Sequence, residues 1–267
     1  MSYSPIIGVL TAQSRDSAMT RLMAELPSDF RLKHITLQDF AFLVNREHAE
    51  EPSLTSRQKL THWPVSGLII SQQVDRAAHD SLAGFGPSLP MTDENDILKP
   101  EPRQHFLASV AARAEFDALC DEALTANRLM QFHTRYKYQL LAHSQPLYRE
   151  TGPLVAGMSD WSSLDDFALA YRSKMMEIFS YPATRENHTN VLMHIQGYFR
   201  PHLSGEQRQA LAAMIDDYRR GELPLSVPVA ELKRYLAEFP HSWLSSQRYL
   251  FPCLPNIAEF SLETEAL

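Results

Sequence analysis

The hydrophobic pattern of the first hundred residues alternates between strand-like and helix-like periods. Ile6–Leu10 is a short apolar run, Arg31–Leu37 alternates apolar and polar residues, and Val65–Ser71 is again strand-like. Arg15–Leu26 and Ser56–Trp63 have the apolar spacing of helices. Strands that alternate with helices predict a small α/β domain with a partly parallel sheet.

Beyond the α/β pattern, four prolines within residues 84–103 predict a surface loop or linker. The rest of the chain predicts an all-α helical bundle, with helices at His105–Leu124, Thr125–Gln145, Ser163–Phe179, Thr189–Phe199, Ser204–Arg220 and Pro228–Glu238. Pro146 is expected to end the second of these helices. Ser204 and Gln207 have the spacing of a capping box, and Gly221 stands where a left-handed residue commonly ends a helix.

These patterns divide the chain into four regions. Residues 1–103 are expected to form the α/β domain and residues 104–125 a connecting helix. Residues 126–258 are expected to form the helical domain, and residues 259–267 are an acidic tail with three glutamates.

Composition narrows the class of protein. A chain of 267 residues can bury a core without disulfides or a structural metal. The N-terminal stretch without a charged residue, Met1–Ser14, is shorter than the ~20 residues of a membrane span and has no basic segment before it. Cys120 and Cys253 are the two cysteines, far apart in sequence. We therefore expect a cytoplasmic protein with no membrane partner.

The charge is uneven along the chain. The formal net charge is −7, with −6 in residues 1–125 and +2 in residues 126–258. An acidic protein is not expected to bind nucleic acid indiscriminately, but its C-terminal half is less acidic and could carry a local basic surface.

The segment Ala123–Arg149 contains no acidic residue. We predict that its basic side chains contact nucleic acid, namely Arg128, His133, Arg135, Lys137 and Arg149. They flank an apolar stripe that a helix would form from Leu129, Phe132, Tyr136 and Leu140. The alternative interpretation is a solvated helix rim whose long side chains cover the edge of the core.

A second candidate site lies on the predicted helix Thr189–Phe199, which is apolar almost all round its circumference. Asn190, His194 and Tyr198 form a possible pocket, beside which Gly197 would permit close approach of a ligand. The alternative is a packed polar network between helices. The histidines after residue 125 form no helical His-x-x-x-His pair, and the sequence has no phosphate-binding glycine motif, so we predict no metal site.

Five segments of the C-terminal half resemble the YbgA family. They are His133–Gly157 (HTRYKYQLLAHSQPLYRETGPLVAG), His188–Phe199 (HTNVLMHIQGYF), Met214–Gly221 (MIDDYRRG), Leu223–Val229 (LPLSVPV) and Gln247–Pro252 (QRYLFP). Together they cover most of residues 126–255. The biochemical role of the family is thinly defined, so the resemblance implies no particular reaction.

The N-terminal part resembles a degenerate TudS-type desulfurase domain, which precedes the YbgA module in many relatives. The likeness lies in the strands Ile6–Leu10 and Val65–Ser71 and in the run Leu89–Phe106. The fused proteins are similar to RudS-type desulfidases, which act on 4-thiouridine in tRNA, and their helical module is thought to hold the tRNA. This layout implies tRNA or another structured RNA as a possible partner.

The chain departs from the desulfurases at their cysteines. The early strands run into Thr11-Ala12-Gln13, Leu37-Gln38-Asp39 and Gln72-Gln73-Val74, and none of these places has a cysteine. An iron–sulfur cluster needs three or four cysteine ligands or substitutes for them. We therefore predict no cofactor and no desulfidase activity.

Three hypotheses for function remain open on the sequence. The first is a non-catalytic RNA-binding or adaptor protein. The second is an enzyme with a site around His194 and Asn190. The third is a protein-interaction module that uses the acidic N-terminal domain.

Overall fold

The computed structural model describes residues 4–11, 26–40, 55–61, 64–72, 74 and 88–254. The predicted helix Arg15–Leu26 lies outside the described residues except for Leu26, and so does the acidic tail.

A four-stranded sheet forms the N-terminal layer. Its strands are β1 (Ile6–Thr11), β2 (Arg31–Thr36), β3 (Gly67–Ile70) and β4 (Met91–Asp93), in the order β2-β1-β3-β4. Every described pair is parallel, which confirms the predicted class of sheet. The prediction of a loop through residues 84–103 was wrong at β4, because a three-residue strand next to Pro90 is too short to show an alternating pattern.

The central strands β1 and β3 are buried on both faces, as is common in parallel sheets, whereas the edge strands β2 and β4 are partly exposed. Ile7, Val9 and Ile69 point into one apolar cluster, and Leu68 and Ile70 into another on the opposite face. The first face packs against a long helix so closely that a Cβ on Gly67 would lie 2.4 Å from Val110 Cγ2.

Most of the other regular structure in the described residues consists of α-helices. They are α1 (Ser56–Thr61), α2 (Pro100–Asp121), α3 (Ala126–His143), α4 (Gln145–Ala156), α5 (Leu164–Phe179), α6 (Arg185–Phe199), α7 (Gly205–Arg220), α8 (Ser226–Glu238) and α9 (Ser242–Ser245). Among the described residues, no helix is both long enough and apolar enough to cross a membrane.

Proline positions explain two corrections to the predicted helix bounds. Helix α2 starts at Pro100, inside the predicted loop, because a first-turn proline needs no hydrogen-bond donor. Pro146 likewise stands in the first turn of α4, after the cap Ser144, so it does not end the helix before it. That prediction was wrong, and α4 was missed.

Caps set the bounds of α6 and α7. Thr184 accepts from the Asn187 amide and starts α6 at Arg185, four residues earlier than predicted. The predicted capping box of Ser204 and Gln207 is confirmed, as is Gly221, whose φ of 85° is left-handed.

Helix α3 lies at the centre of the helical part. Its predicted stripe of Leu129, Phe132, Tyr136 and Leu140 is buried in a core shared with α2 and α5. Its other side contributes Tyr138, Leu141 and Ala142 to a second core, shared with the helices from α6 onward.

Buried charges join the sheet-covering helix α2 to the bundle. Asp117 lies between two arginines that are almost fully buried: its Oδ2 is 3.3 Å from Arg113 Nε and its Oδ1 is 3.0 Å from Arg172 Nη1. Arg172 also donates to the Leu60 carbonyl of α1 at 2.8 Å. We call Arg113, Asp117 and Arg172 the junction cluster.

Candidate nucleic-acid interface

The structure pairs two of the predicted phosphate-binding arginines with carboxylates of the same chain. Arg128 forms an ion pair with Glu122 and donates to the Ala123 carbonyl at 2.9 Å. Arg135 Nη2 lies 3.3 Å from Glu115 Oε1, and Glu115 also holds Arg248 at 2.7 Å. Glu115 and Glu122 both precede the acid-free segment in the sequence, and the fold places them beside its arginines. The positive charge of Arg128 and Arg135 is therefore largely neutralised within the chain.

His133 is a hydrogen-bonding group of the interior face of α3. Its Nδ1 lies 3.0 Å from the hydroxyl of the buried Tyr171, and its ring is stacked on Tyr148 with centroids 5.7 Å apart. Burial, and secondarily the charge of Lys137, lowers the pKa of His133 to about 4. The ring is therefore neutral near pH 7 and supplies no positive charge to a phosphate.

Lys137 and Arg149 differ from these residues. Lys137 Nζ lies 5.5 Å from the ring centroids of both Tyr138 and Trp243. Arg149 is exposed on α4, directly after Tyr148. Within the part of the chain that the structure describes, neither cation has a carboxylate at ion-pair distance.

Lys137 lies among aromatic side chains that come from three helices, α3, α6 and α9. Trp243 of α9 is stacked on Tyr198 of α6 at 5.3 Å and lies edge-on to Tyr138 of α3 at 5.5 Å. His194 is stacked on Tyr138 at 6.5 Å, one helical turn before Tyr198. We call Lys137, Tyr138, His194, Tyr198 and Trp243 the aromatic face.

The buried Tyr138 hydroxyl at this face stays protonated. Burial raises the pKa of Tyr138, with smaller contributions from its charge interaction and hydrogen bond with Tyr198. Burial likewise raises the pKa of Tyr148. Because Tyr138 is 1% exposed, the face offers an approaching ligand the amino group of Lys137 and the half-buried rings of Tyr198 and Trp243, and none of its five side chains is acidic.

The side of α6 that carries Asn190 and His194 was interpreted as a pocket or, alternatively, as a packed polar network. The structure leaves this side largely exposed. Asn190 is half-buried, whereas His194 and Gly197 are exposed, and a Cβ on Gly197 would meet nothing within 4 Å. Met193, expected on an apolar circumference, is 59% exposed. Helix α6 packs against α3, α7 and α8 on its other sides, so this surface is left open. An enzymatic pocket here stays a prediction.

A second group of buried polar side chains lies at the carboxyl edge of the sheet. Thr11 Oγ1 is 2.6 Å from His34 Nε2, and Ser71 donates to Glu94 Oε2 at 3.2 Å. Open parallel sheets commonly bind ligands at this edge. Thr11 ends β1 and Ser71 follows β3, which are two of the three strands after which the desulfurase resemblance would require cysteines.

Both cysteines lie away from that edge. Cys120 is buried in α2 within the bundle core, and burial raises the pKa of its thiol to about 12. Cys253 Sγ lies 3.9 Å from the Tyr136 hydroxyl near the end of the described chain. A thiol that stays protonated is a poor metal ligand or nucleophile.

Comparison with known proteins decides the family of the helical part. The uncharacterized protein YbgA of Escherichia coli (strain K12) is 48% identical over 153 residues, which are 57% of this chain and 90% of that protein. The chain belongs to the YbgA family. A family model described as a protein of unknown function (DUF1722) matches residues 137–253. No solved structure gives a significant match.

The aromatic face falls within the region that matches the family model, which begins at Lys137 and includes Trp243. Arg128 and Arg135 precede that region. The likeness of the N-terminal part to desulfurases finds no support in these comparisons and stays a prediction.

Sequence reasoning found Lys137, His194 and Tyr198 of this YbgA-family protein but placed them in two separate sites. It missed Trp243, which joins them, because Trp243 follows Lys137 by more than a hundred residues. A tryptophan beside His241 in a short helix between Pro240 and the QRYLFP segment was the available signal.

Proposed function

We propose that this YbgA-family protein is a non-catalytic RNA-binding protein that holds RNA on the aromatic face. The observation that carries the proposal is the position of the Lys137 ammonium over the Tyr138 and Trp243 rings, with no carboxylate partner among the described residues. Nucleic acids bring together an anionic backbone and flat bases, and proteins bind them with cations beside aromatic rings.

The chemistry of the face favours an anionic ligand with an apolar plane. An organic cation would be repelled by Lys137, and the half-buried Tyr198 side chain adds a hydroxyl group that can hydrogen-bond to phosphate or carbonyl oxygens. Arg149, which is exposed on α4, can contribute a second phosphate contact.

The type of RNA follows from stacking. Bases in a continuous helix cannot reach a protein ring, whereas bases in loops, bulges and ends can stack on it. We therefore infer that the ligand is a structured RNA with unstacked bases, such as the loops of tRNA. The net charge of −7 keeps other parts of the protein from attracting the backbone.

In this proposal the N-terminal part is a non-catalytic companion of the RNA-binding module. Its support is the chemistry of the strand ends, where the side chains of Thr11 and Ser71 lie and no cysteine is present. Hydroxyl groups bound to His34 and Glu94 are not substitutes for cluster thiolates.

Binding of labelled bulk tRNA and of a labelled oligouridylate to the full chain, measured at several salt concentrations, tests the proposal. Lys137→Gln is expected to weaken binding and to reduce the slope of log affinity against log salt by about 0.7–0.9. Trp243→Leu is expected to cost about 1–3 kcal/mol of binding free energy through lost stacking. Circular dichroism melting checks that both variants fold.

Arg128→Gln is the matched control, because Arg128 lies on the same helix and is paired with Glu122. It should leave affinity and slope unchanged. Wild-type protein without salt-dependent binding to either RNA would contradict the proposal, and an equal effect of Arg128→Gln and Lys137→Gln would move the interface to the start of α3.

A further inference from the structure

A cavity of about 520 Å³ lies between the sheet and the helical bundle. Its walls come from β4 and the residues around it, from the first turns of α2 and from the C-terminal end of α5. Cavities of several hundred cubic ångströms at the boundary of two structural layers commonly bind small molecules. The RNA-binding proposal makes no use of it.

The floor of the cavity is apolar. Ile70 and Met91 come from the sheet, Phe106 from α2, and Met176 and Phe179 from α5. Two aromatic rings and two flexible methionine side chains suit a flat or branched apolar group.

The polar part of the lining consists mostly of acceptors. Asp93 Oδ1 accepts from the backbone amides of Asn95 and Asp96 at 2.7 and 2.9 Å, and this leaves the second carboxylate oxygen for another donor. Ser109 donates its only proton to the His105 carbonyl at 2.8 Å, so its oxygen can accept. A ligand here must bring hydrogen-bond donors.

Two observations show that the polar lining is incompletely satisfied and negatively charged. His105 lines the cavity, and its Nδ1 is buried without a hydrogen-bond partner among the described residues. Asp93 and Asp96 both line the cavity, and Asp96 pairs with Lys99, which is not part of the lining.

We propose that this cavity is a binding site for a small organic cation, namely an amine or amidinium carried on an apolar ring or chain. The cationic donor group faces Asp93, and the apolar body lies against Phe106 and Phe179. An anion of the same shape is excluded, because the lining offers it no positive side chain.

Benzamidine and benzoate test the proposal, since they share a shape and differ in charge. Ligand-observed NMR titrations of the full chain are expected to show benzamidine binding at least about ten times more tightly than benzoate. Asp93→Asn keeps the acceptor for the two backbone amides and removes the charge, so it should reduce the affinity for benzamidine by about tenfold.

Two further variants make the test specific. Thr92→Phe fills the cavity from β4 and should abolish benzamidine binding. Asp160→Asn, in the turn before α5 and so at the far end of that helix from the cavity, should change nothing. Melting curves check folding, and Asp93→Asn decides the question if Thr92→Phe does not fold. Equal binding of both probes, no binding of benzamidine, or binding that survives Thr92→Phe would overturn the proposal.

Discussion

The junction cluster and the aromatic face use positive charge in opposite ways. Arg113 and Arg172 are almost fully buried and share the carboxylate of Asp117. Lys137 is half-buried over two rings and has no carboxylate partner among the described residues. A buried cation without a partner would cost several kcal/mol, so its partner is part of the fold. A cation that has a carboxylate partner in the folded protein is not available to bind a ligand, and that partner can be distant in the sequence.

The largest expected effect is on stability at the junction cluster. Asp117→Ala removes the carboxylate between two buried guanidinium groups and should lower the free energy of unfolding by about 3–5 kcal/mol. Urea denaturation of the full chain measures it. Lys137→Gln is the counterpart on the aromatic face and should change stability by no more than about 0.5 kcal/mol. Similar losses in both variants would show that the two regions do not differ.

A smaller loss of stability is expected when the pH is lowered, because His133 then becomes protonated. Its folded-state pKa of about 4 lies below the ordinary value of 6.5, so between these two pH values the unfolded chain binds more protons than the folded one. The stability that the neutral ring contributes is complete above pH 6.5 and is lost as the pH falls toward 4. The loss from pH 7 to pH 5 should be about 2 kcal/mol.

His133→Gln tests this share of the pH dependence, because it keeps a hydrogen-bonding group near Tyr171 and removes the titration. The difference in unfolding free energy between pH 7 and pH 5 should shrink by about 2 kcal/mol relative to wild type. A pH profile parallel to that of wild type would mean that His133 is not held neutral by the fold.

The smallest effect concerns Glu115, which holds Arg135, Arg248 and the Tyr136 hydroxyl. Glu115→Gln should lower the unfolding free energy by about 1–2 kcal/mol through weakened charged hydrogen bonds. RNA binding should keep its salt slope, since Arg135 and Lys137 are two residues apart on α3 and point to opposite sides. A steeper slope would show that the released Arg135 contacts phosphate.

The fold class could be predicted because its signals are local. The apolar runs at Ile6–Leu10 and Val65–Ser71 and the capping box of Ser204 depend on neighbouring residues alone. Strand β4 was not predicted, because three residues are too few to show an alternating pattern. Helix α4 was not predicted, because a proline such as Pro146 can either end a helix or stand in its first turn.

The candidate site was predicted less well, because it depends on distant residues. The acid-free segment gave no sign that Glu115 and Glu122 would pair with its arginines. The exposure of His194 and Met193 likewise depends on which sides of α6 are covered by α3, α7 and α8. Single residues such as Lys137 and Tyr198 could be found, whereas their shared surface with Trp243 could not.

Helix α3 packs against a core on each of two sides, and this packing limits where the chain can be truncated. A fragment that starts at the family match, at Lys137, would cut this helix near its middle and discard Leu129, Phe132 and Tyr136. The remaining half would keep its contacts with α6 but lose the layer that holds α5 against α2. We therefore expect the region that the family model matches to be shorter than a stably folded fragment, and truncations should begin no later than the first turn of α2.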